Sequence, residues 1–282
     1  MKVRTVQFSL TEIAEKLAEV ARDAGKLVME LYDSGAFATA EKADESPVTT
    51  ADIKASEFIV ASLKKAFPNI PVLSEESRHE KLSTRAGWSS YFLIDPIDGT
   101  QEFIARSGDF AVNIAYIEER QPSIGVIYWP PGETLYSAIR EQGAYKHALG
   151  QKQAISVRKL NDPQHDPLIL AISRRQPRHK VMARVQTERD IQPLPTGSCS
   201  LKACFIAEGK ADCFLRLGPT GEWDTAASQV IVTEAGGSLL NENFEPITYN
   251  ETESLLNPNF YVLGDPEVDW QAVFIAHPPN FR

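Results

Sequence analysis

The sequence contains few cysteines and no apolar run of membrane-spanning length. Three cysteines occur in 282 residues, at positions 199, 204 and 213, and none of them forms a CxxC pair. Isolated cysteines in apolar surroundings predict small buried side chains in a reducing compartment and argue against a disulfide framework. The segment from Met1 to Leu10 lacks the apolar core of a secretory signal. No segment approaches the roughly 20 apolar residues of a transmembrane helix, so we expect a cytoplasmic protein.

An excess of positive charge is also absent. The chain carries 29 lysines and arginines against 38 aspartates and glutamates, a formal net charge of −9. This balance argues against a basic surface for nucleic-acid polymers. It does not exclude an anionic small molecule, because bound cations can reverse the local field. Zinc-type histidine spacing such as HExxH is missing as well, so a zinc site is not expected.

The N-terminal half is predicted to contain two helices followed by strands. A capping box at Ser9 and helical spacing of apolar residues predict an amphipathic helix over roughly 11–32. A second helix, capped by Thr49 or Thr50, ends before Pro68, and residues 36–47 are predicted to be a loop. Short β-branched and aromatic runs then predict strands at 70–73, 91–94, 111–117, 124–129 and 134–139. Turns are predicted at 121–122 and 130–132.

The C-terminal half alternates between strands and helices, which is typical of an α/β arrangement. Strands are predicted at 168–172, 211–217 and 261–263, and helices at 177–187, 200–208 and 224–235. The polar stretch 147–166 is the best candidate junction. We therefore expect a helix pair and antiparallel sheet over 1–153, and an α/β half over 154–282.

One segment is the most informative about chemistry: Asp95-Pro96-Ile97-Asp98-Gly99-Thr100. It follows a short apolar run that is predicted to be a buried strand. Pro96 restricts the backbone, and Gly99 permits a turn that a side chain would obstruct. Asp95 and Asp98 held this close repel each other unless a cation lies between them, and a hard divalent cation suits such oxygen ligands. A solvated acidic turn is the alternative.

Other acids also lie at the ends of predicted elements. Glu75 and Glu76 follow the strand at 70–73, where the solvated end of a strand is the alternative. Asp52 and Asp224 lie in first turns of helices, where an acid can simply stabilise the macrodipole. Acids at several element ends nevertheless indicate ends that converge on one cleft.

Three of these segments together resemble the signatures of the inositol monophosphatase superfamily, whose members are magnesium-dependent, lithium-sensitive phosphomonoesterases. They are Glu75-Glu76, Asp95-Pro96-Ile97-Asp98-Gly99-Thr100 and Trp223-Asp224-Thr225-Ala226-Ala227. The resemblance extends over nearly the whole chain. It implies a layered α-β-α-β-α sandwich, an α/β (α+β) fold of the sugar-phosphatase type, in agreement with the predicted order of helices and strands.

Further segments resemble one branch of that superfamily, the 3′(2′),5′-bisphosphate nucleotidases. They include Lys42-Ala43-Asp44, Thr100-Gln101-Glu102-Phe103-Ile104, Ser200-Leu201-Lys202, Arg216-Leu217-Gly218-Pro219-Thr220 and Leu256-Asn257-Pro258. This resemblance implies hydrolysis of adenosine 3′,5′-bisphosphate (PAP) to AMP and phosphate. Inositol monophosphate or a sugar bisphosphate is the alternative substrate for the same site. A non-catalytic nucleotide-binding regulator is a further alternative.

The resemblance also implies roles for single residues. The implied metal ligands are Glu75, Asp95, the backbone carbonyl of Ile97, Asp98 and Asp224. The implied catalytic pair is Asp52 and Thr100, which help to activate the attacking water. The implied substrate contacts are Glu75, Ile97, Asp98, Gly99, Thr100, Lys202, Arg216 and Asp224. The implied cofactor is Mg²⁺ at two to three sites, with Li⁺ as an inhibitor.

Several basic residues have a structural alternative beside the functional one. Lys202 is expected to contact the second phosphate or the base of the substrate, whereas an exposed helix lysine is the alternative. For Arg216 at a strand end, and for Lys42 and Asp44 in the loop before the second helix, a structural role is an equal alternative. A basic cluster is expected to be a solvated face that could steer an anion: Arg174, Arg175, Arg178 and Lys180.

The chain departs from the branch pattern in two places. Gln101 stands where a lysine commonly follows Asp-Gly-Thr, so a lysine-type role is not assigned at this position. The segment 197–202 is one residue longer than the usual Gly-Ser-Ser-Leu-Lys, so no individual roles are assigned to Ser198 and Ser200. The resemblance also allows peripheral association with the inner membrane, and it leaves the oligomeric state open.

Overall fold

The computed structural model describes residues 8–42 and 46–275. Asp44 lies outside the described residues. The α-helices are α1 Leu10–Ser34, α2 Thr50–Ala66, α3 Leu82–Arg85, α4 Thr100–Ile104, α5 Arg178–Met182, α6 Cys199–Ala207, α7 Ala226–Glu234 and α8 Trp270–Val273. A 3-10 helix spans Glu222–Asp224.

The strands form three sheets. In chain order they are β1 Thr39–Glu41, β2 Pro47–Thr49, β3 Val72–Ser74, β4 Ser90–Asp98, β5 Ala111–Glu118, β6 Gln121–Trp129, β7 Thr134–Ile139, β8 Ala144–Ala148, β9 Gln151–Ile155, β10 Leu168–Ser173, β11 Ile191–Thr196, β12 Cys213–Arg216, β13 Ser238–Asn241 and β14 Phe260–Leu263. Strands β3 to β9 form a seven-stranded sheet in sequence order, and a five-stranded sheet has the order β11-β10-β12-β14-β13. In the larger sheet β3 is parallel to β4, and the remaining neighbours are antiparallel.

The larger sheet is buried on both faces, as its strand β4 illustrates. Phe92 and Ile94 of β4 pack with α1 and α2 in one core cluster. Tyr91 and Leu93, which point to the opposite face because side chains alternate along a strand, pack with α6 and α7 in a second cluster. Strand β4 is therefore an almost continuous apolar run that ends directly in the acidic turn.

The second core cluster also joins the two sheets. It contains Phe214 and Phe260 of the five-stranded sheet, whose other face packs against α5 and α8 through a third cluster. Helix α7 lies very close to β6, because a Cβ on Gly125 would be 2.3 Å from the carbonyl oxygen of Ala227. The order helix, sheet, helix, sheet, helix confirms the predicted α-β-α-β-α sandwich.

Some element predictions were wrong. Gln121 and Pro122 lie in β6 and not in a turn, and the turn before them uses Glu119 and Arg120, both with positive φ. The predicted loop 36–47 contains the short strand β1 and the first residue of β2, and helix α5 is shorter than the predicted 177–187. Strands β8, β9, β11 and β13 were missed, because their exposed, polar or proline-containing sequences lack a clear apolar period.

The division of the chain near residue 153 stays a proposal. In its favour, the seven-stranded sheet uses residues 72–155 and the five-stranded sheet uses residues 168–263. The shared core indicates that the two halves are parts of one packed structure.

Candidate metal centre and active site

Two of the predicted acidic strand ends lie side by side. Strands β3 and β4 are parallel, with Ser74 opposite Ile94, and the backbone N–H of Glu75 donates to the carbonyl of Ile94 at 3.1 Å. Because parallel strands end at the same sheet edge, Glu75 and Asp95 leave their strands as neighbours. This pairing brings the first two acidic segments together.

The backbone between Asp95 and Asp98 bulges out of the ladder. Asp95 pairs with Asn113 and Asp98 with Ala111, with a register shift between them. The Ile97 N–H donates to Oδ1 of Asp95 at 3.0 Å, which closes the turn. Gly99 follows with φ 94°, and a Cβ at this position would lie 3.0 Å from the carbonyl oxygen of Asp109. Both the conformation and the space therefore require glycine at this position.

Asp224 approaches this corner from the C-terminal half. It ends the 3-10 helix before α7, and its Oδ2 accepts the Gly221 N–H at 2.6 Å. One carboxylate oxygen from each of Asp95, Asp98 and Asp224 lies within 4.8 Å of the others. Three of the four acids predicted to bind metal thus form one cluster, and Glu75 lies at its side.

These carboxylates repel one another in a buried environment. Burial raises the pKa of Asp95 well above its usual range, and the charges of Glu75, Asp98 and Asp224 raise it further. Burial and the charges of Asp98 and Glu75 raise the pKa of Asp224 in the same direction. A bound cation removes this repulsion, so the donor chemistry fits a divalent metal ion.

Asp52 and Thr100 form the predicted pair. The Thr100 hydroxyl donates to Oδ1 of Asp52 at 2.9 Å and lies 3.2 Å from the carbonyl oxygen of Ile97. Oδ2 of Asp52 accepts the backbone N–H and the hydroxyl of Thr49, at 2.7 and 2.6 Å, in the capping box of α2. Burial raises the pKa of Asp52. Asp52 therefore has both roles that the sequence offered. One of its oxygens caps α2, and the other accepts the hydroxyl of Thr100.

Asp98 also binds the start of α6. Its Oδ2 accepts the Ser198 hydroxyl at 2.5 Å, and the backbone N–H and hydroxyl of Ser200 at 2.6 and 2.5 Å. The Cys199 N–H donates to Oδ1 at 3.2 Å. The sequence left the roles of Ser198 and Ser200 unassigned, and the structure places both hydroxyls on a carboxylate of the acidic cluster.

Lys42 covers Glu75 from the side of β1 and β2. Its ammonium group lies 2.6 Å from carboxylate oxygens of both Glu75 and Glu76. Burial and the charge of Glu75 raise the pKa of Glu76 to about 7. Burial raises the pKa of Glu75, although Lys42 opposes the shift. Lys42 thus provides part of the positive charge that this acidic corner needs.

Lys202 and Arg216 lie at the same cleft but differ in their contacts. Lys202 is only 2% exposed, and burial lowers the pKa of its ammonium group. Its ammonium donates to the carbonyls of Gly197 and, at 2.7 Å, Ser198, so it supports the loop before α6. Arg216 donates to Pro219, while its Nε is buried and makes no hydrogen bond to the described residues. The Nε of Arg216 can therefore still donate a hydrogen bond to a ligand, whereas the ammonium of Lys202 already donates to the protein.

The acidic cluster opens into a cleft of about 390 Å³, hereafter the cleft. Residues from both halves line it, including Glu75, Asp98, Thr100, Asp224, Arg175 and Arg216. Arg175 was predicted as part of a solvated basic face, and its position at the cleft was missed. The arginines lie together just before a short helix. Their spacing in the sequence therefore does not show which of them faces the cleft and which faces solvent.

A layered α-β-α-β-α sandwich with carboxylates at strand ends defines the class, and comparison with known proteins specifies it. The model of the inositol monophosphatase family matches residues 9–268. The chain belongs to the inositol monophosphatase family. It is therefore a phosphatase, and membership of this family implies a divalent metal ion.

Its relatives point to one branch of the family. The chain is 38% identical over 255 residues to the 3′(2′),5′-bisphosphate nucleotidase CysQ of Haemophilus influenzae, covering 90% of this chain and 94% of the relative. It is 40% identical to CysQ of Escherichia coli O157:H7, covering 88% and 98%. The crystal structure of CysQ from Bacteroides thetaiotaomicron superposes with a TM-score of 0.77 at 35% identity, covering 93% of this chain and all of that one. Across the described residues, none of the helices is both long and apolar enough to cross a membrane.

Proposed function

We propose that this protein is a Mg²⁺-dependent phosphomonoesterase that removes the 3′-phosphate of PAP, giving AMP and phosphate. The observation that carries the proposal is the cluster of Asp95, Asp98 and Asp224, with oxygens within 4.8 Å of one another. A phosphate monoester is an anion, which such a cluster would repel without bound cations. The bisphosphate nucleotidase names of relatives 38% and 40% identical support PAP as the substrate.

The donor set suits Mg²⁺. Carboxylate and carbonyl oxygens are hard ligands, and Mg²⁺ in proteins combines a few of them with water and substrate oxygens. We assign two to three ions to the predicted ligands, which are Glu75, Asp95, the carbonyl of Ile97, Asp98 and Asp224. When bound, Mg²⁺ makes a water more acidic and stabilises negative charge on the leaving oxygen.

Asp52 and Thr100 are assigned to the proton of the attacking water. The Thr100 hydroxyl donates to Asp52, so its own lone pairs remain to accept a hydrogen bond from water. Thr49 holds the second oxygen of Asp52 at 2.6 Å, which prevents the carboxylate from turning away. The pair therefore orients the water and passes its proton towards Asp52.

The remaining substrate contacts belong to the turn and to the C-terminal half. We propose that the backbone N–H groups of Gly99 and Thr100 bind the phosphate that is cleaved. Arg216, whose buried Nε makes no hydrogen bond within the described part of the chain, is proposed to bind the substrate directly. For Lys202 the contacts with Gly197 and Ser198 favour support of the binding loop.

A substrate panel tests the proposal. Phosphate release by the purified enzyme with Mg²⁺ is measured for PAP, inositol 1-phosphate and a sugar bisphosphate, and we expect the highest kcat/KM for PAP. A preference for inositol phosphate would contradict the nucleotidase assignment. Absence of turnover on every member, with retained PAP binding, would favour a nucleotide-binding regulator. Millimolar Li⁺ is expected to inhibit the enzyme, and complete insensitivity to Li⁺ would count against the metal centre.

We propose the cytoplasm as the location. The three cysteines are free thiols, which suits a reducing compartment.

A further inference from the structure

We propose that Arg175 binds the second phosphate of the substrate and thereby makes the cleft selective for a bisphosphate over a monophosphate. This inference rests on the proposed function, because it concerns the part of PAP that is not cleaved. A substrate with two phosphates needs positive charge at a second place, away from the metal cluster.

Three cationic side chains line the cleft among the described residues, and they are not equally available. The Lys202 ammonium is buried and donates to carbonyls of the loop before α6. Arg216 interacts with the charge of Asp224, which places it near the metal cluster. Arg175 has a side chain that is 45% exposed. It is therefore the cation on the solvent side of the cleft.

Arg175 is held in place but retains free donors. Its Nε donates to Oε1 of Glu102 at 2.8 Å, and its Nη2 donates to the carbonyl of Gln101 at 3.1 Å. The other oxygen of Glu102 accepts the Ser107 hydroxyl at 2.6 Å. In the described part of the chain, Nη1 of Arg175 makes no hydrogen bond, so one edge of the guanidinium can bind an anion. A guanidinium oriented in advance binds phosphate oxygens without losing further side-chain freedom.

The anchor of Arg175 links it to the catalytic turn. Glu102 and Gln101 belong to α4, which begins at Thr100 directly after the acidic corner. Arg175 and Thr100 are therefore attached to the same short helix, so the distance between the two phosphate sites is set by one rigid piece of the fold.

Gln176 supplies an independent sign that a ligand binds at this rim. It lines the cleft beside Arg175, and its amide oxygen is buried without a hydrogen bond to the described residues. An unsatisfied buried acceptor costs free energy, which a ligand donor such as a ribose hydroxyl or an adenine amino group can offset.

The test compares PAP with 3′-AMP, which has the same scissile phosphate and no second one. We expect Arg175→Gln to lower kcat/KM for PAP by about 10- to 100-fold, the effect of losing a charged hydrogen bond. We expect kcat/KM for 3′-AMP to change by less than about threefold, because the metal centre is unaltered. Glutamine can still donate to Glu102, so the fold and the thermal midpoint should be retained.

Arg174→Gln is the matched control. Arg174 directly precedes Arg175 in the chain, its side chain is 51% exposed, and it pairs with Asp109 at 2.9 Å. Because Asp109 also accepts the N–H of Gly197, Arg174→Gln should change kcat/KM for PAP and for 3′-AMP by the same factor, so the ratio between the two substrates should stay that of the wild type. An equal loss on PAP and 3′-AMP in Arg175→Gln, or no loss on either, would overturn the assignment of Arg175. If the wild-type enzyme releases no phosphate from PAP, the proposed function itself is wrong, and this outcome is distinct from the other two.

Discussion

The hydroxyl of Thr100 lies 2.9 Å from Oδ1 of Asp52, although the two residues belong to different helices. Thr49 fixes Asp52 from the other side at the start of α2, and Thr100 begins α4 directly after the acidic turn. The contact therefore joins the layer of α1 and α2 to the turn that ends β4. It places the carboxylate that we propose as the proton acceptor beside the acidic cluster, and Asp52 is not itself among the proposed metal ligands.

We expect Asp52→Asn to lower kcat by about 10²- to 10⁴-fold, the usual contribution of a positioned general base. Metal binding should persist, because Asp52 is not among the proposed ligands. Thr100→Val is expected to give a similar loss, whereas Thr100→Ser retains the hydroxyl and most of the activity. The measurements are steady-state phosphate release and metal titration by calorimetry. Unchanged kcat in both Asp52→Asn and Thr100→Val would exclude the pair from the reaction.

Asp98→Asn is expected to abolish turnover and leave the fold intact. Asp98 accepts hydrogen bonds from Ser198 and Ser200, and losing part of them costs about 1–3 kcal/mol. Removing the charge of Asp98 also removes its repulsion with Asp95 and Asp224. In the metal-free protein this gain offsets the stability lost with the hydrogen bonds.

Thermal unfolding with and without Mg²⁺ separates these effects. The wild-type midpoint should rise with added Mg²⁺, because a ligand that binds only the native state stabilises it. The Asp98→Asn midpoint should not move. Full activity in the variant would remove Asp98 from the metal site.

Lys42→Gln is expected to increase the affinity for Mg²⁺. The Lys42 ammonium lies 2.6 Å from Glu75, so a cation that binds Glu75 must compete with it. Calorimetric titration without substrate measures this affinity directly. Lys26→Gln is the control, since Lys26 forms a similar ion pair with Asp23 on the exposed face of α1. A weaker affinity in Lys42→Gln would mean that Lys42 supports the metal site and does not compete for it.

Asp265 gives a prediction for the dependence of stability on pH. This side chain is 2% exposed, and Lys159 approaches it to 2.7 Å while the Leu160 N–H donates at 3.0 Å. Burial alone would raise the pKa of Asp265, but these hydrogen bonds outweigh it and hold the pKa of this carboxyl below its usual range. The stability that Asp265 contributes is therefore complete above about pH 4 and is lost as the pH falls through its folded-state pKa.

Asp265→Asn should lower the free energy of unfolding by about 1–3 kcal/mol at pH 7. Between pH 7 and pH 5 the difference from the wild type should stay constant, and below about pH 4 it should shrink. Urea unfolding at several pH values measures this difference. Glu267→Gln is the control, because Glu267 is 70% exposed and lies 4.0 Å from Lys159. A difference that grows in acid would contradict the lowered pKa.

Local sequence was sufficient for a large part of the fold. The boundaries of α1 and α2 depend on capping boxes at Ser9 and Thr49, which satisfy backbone donors within a few residues. Strands β4 to β7 were recognisable because they are apolar on both faces. Strand β11 was not, because Pro193 and Pro195 break its pattern and an edge strand tolerates them.

The candidate site was predictable for a different reason. Asp95 to Thr100 form a turn whose shape follows from Pro96 and Gly99, so its chemistry can be read without a tertiary structure. Asp224 was a candidate because it lies at the start of a predicted helix, but its role as a metal ligand came from the resemblance, since nothing local indicates that Asp224 meets Asp95. The structure provides that meeting through the packing of α7 on the larger sheet.

The helix caps, the buried strands and the acidic turn can be predicted from local sequence, because each depends on interactions between near neighbours in the chain. The set of charges that share the cleft depends on how distant segments pack. Lys202 is buried and donates to carbonyl oxygens, whereas Arg175 lines the cleft with an exposed side chain. The physical reason is that burial and electrostatic neighbours arise from distant segments packed together, and no local pattern records them.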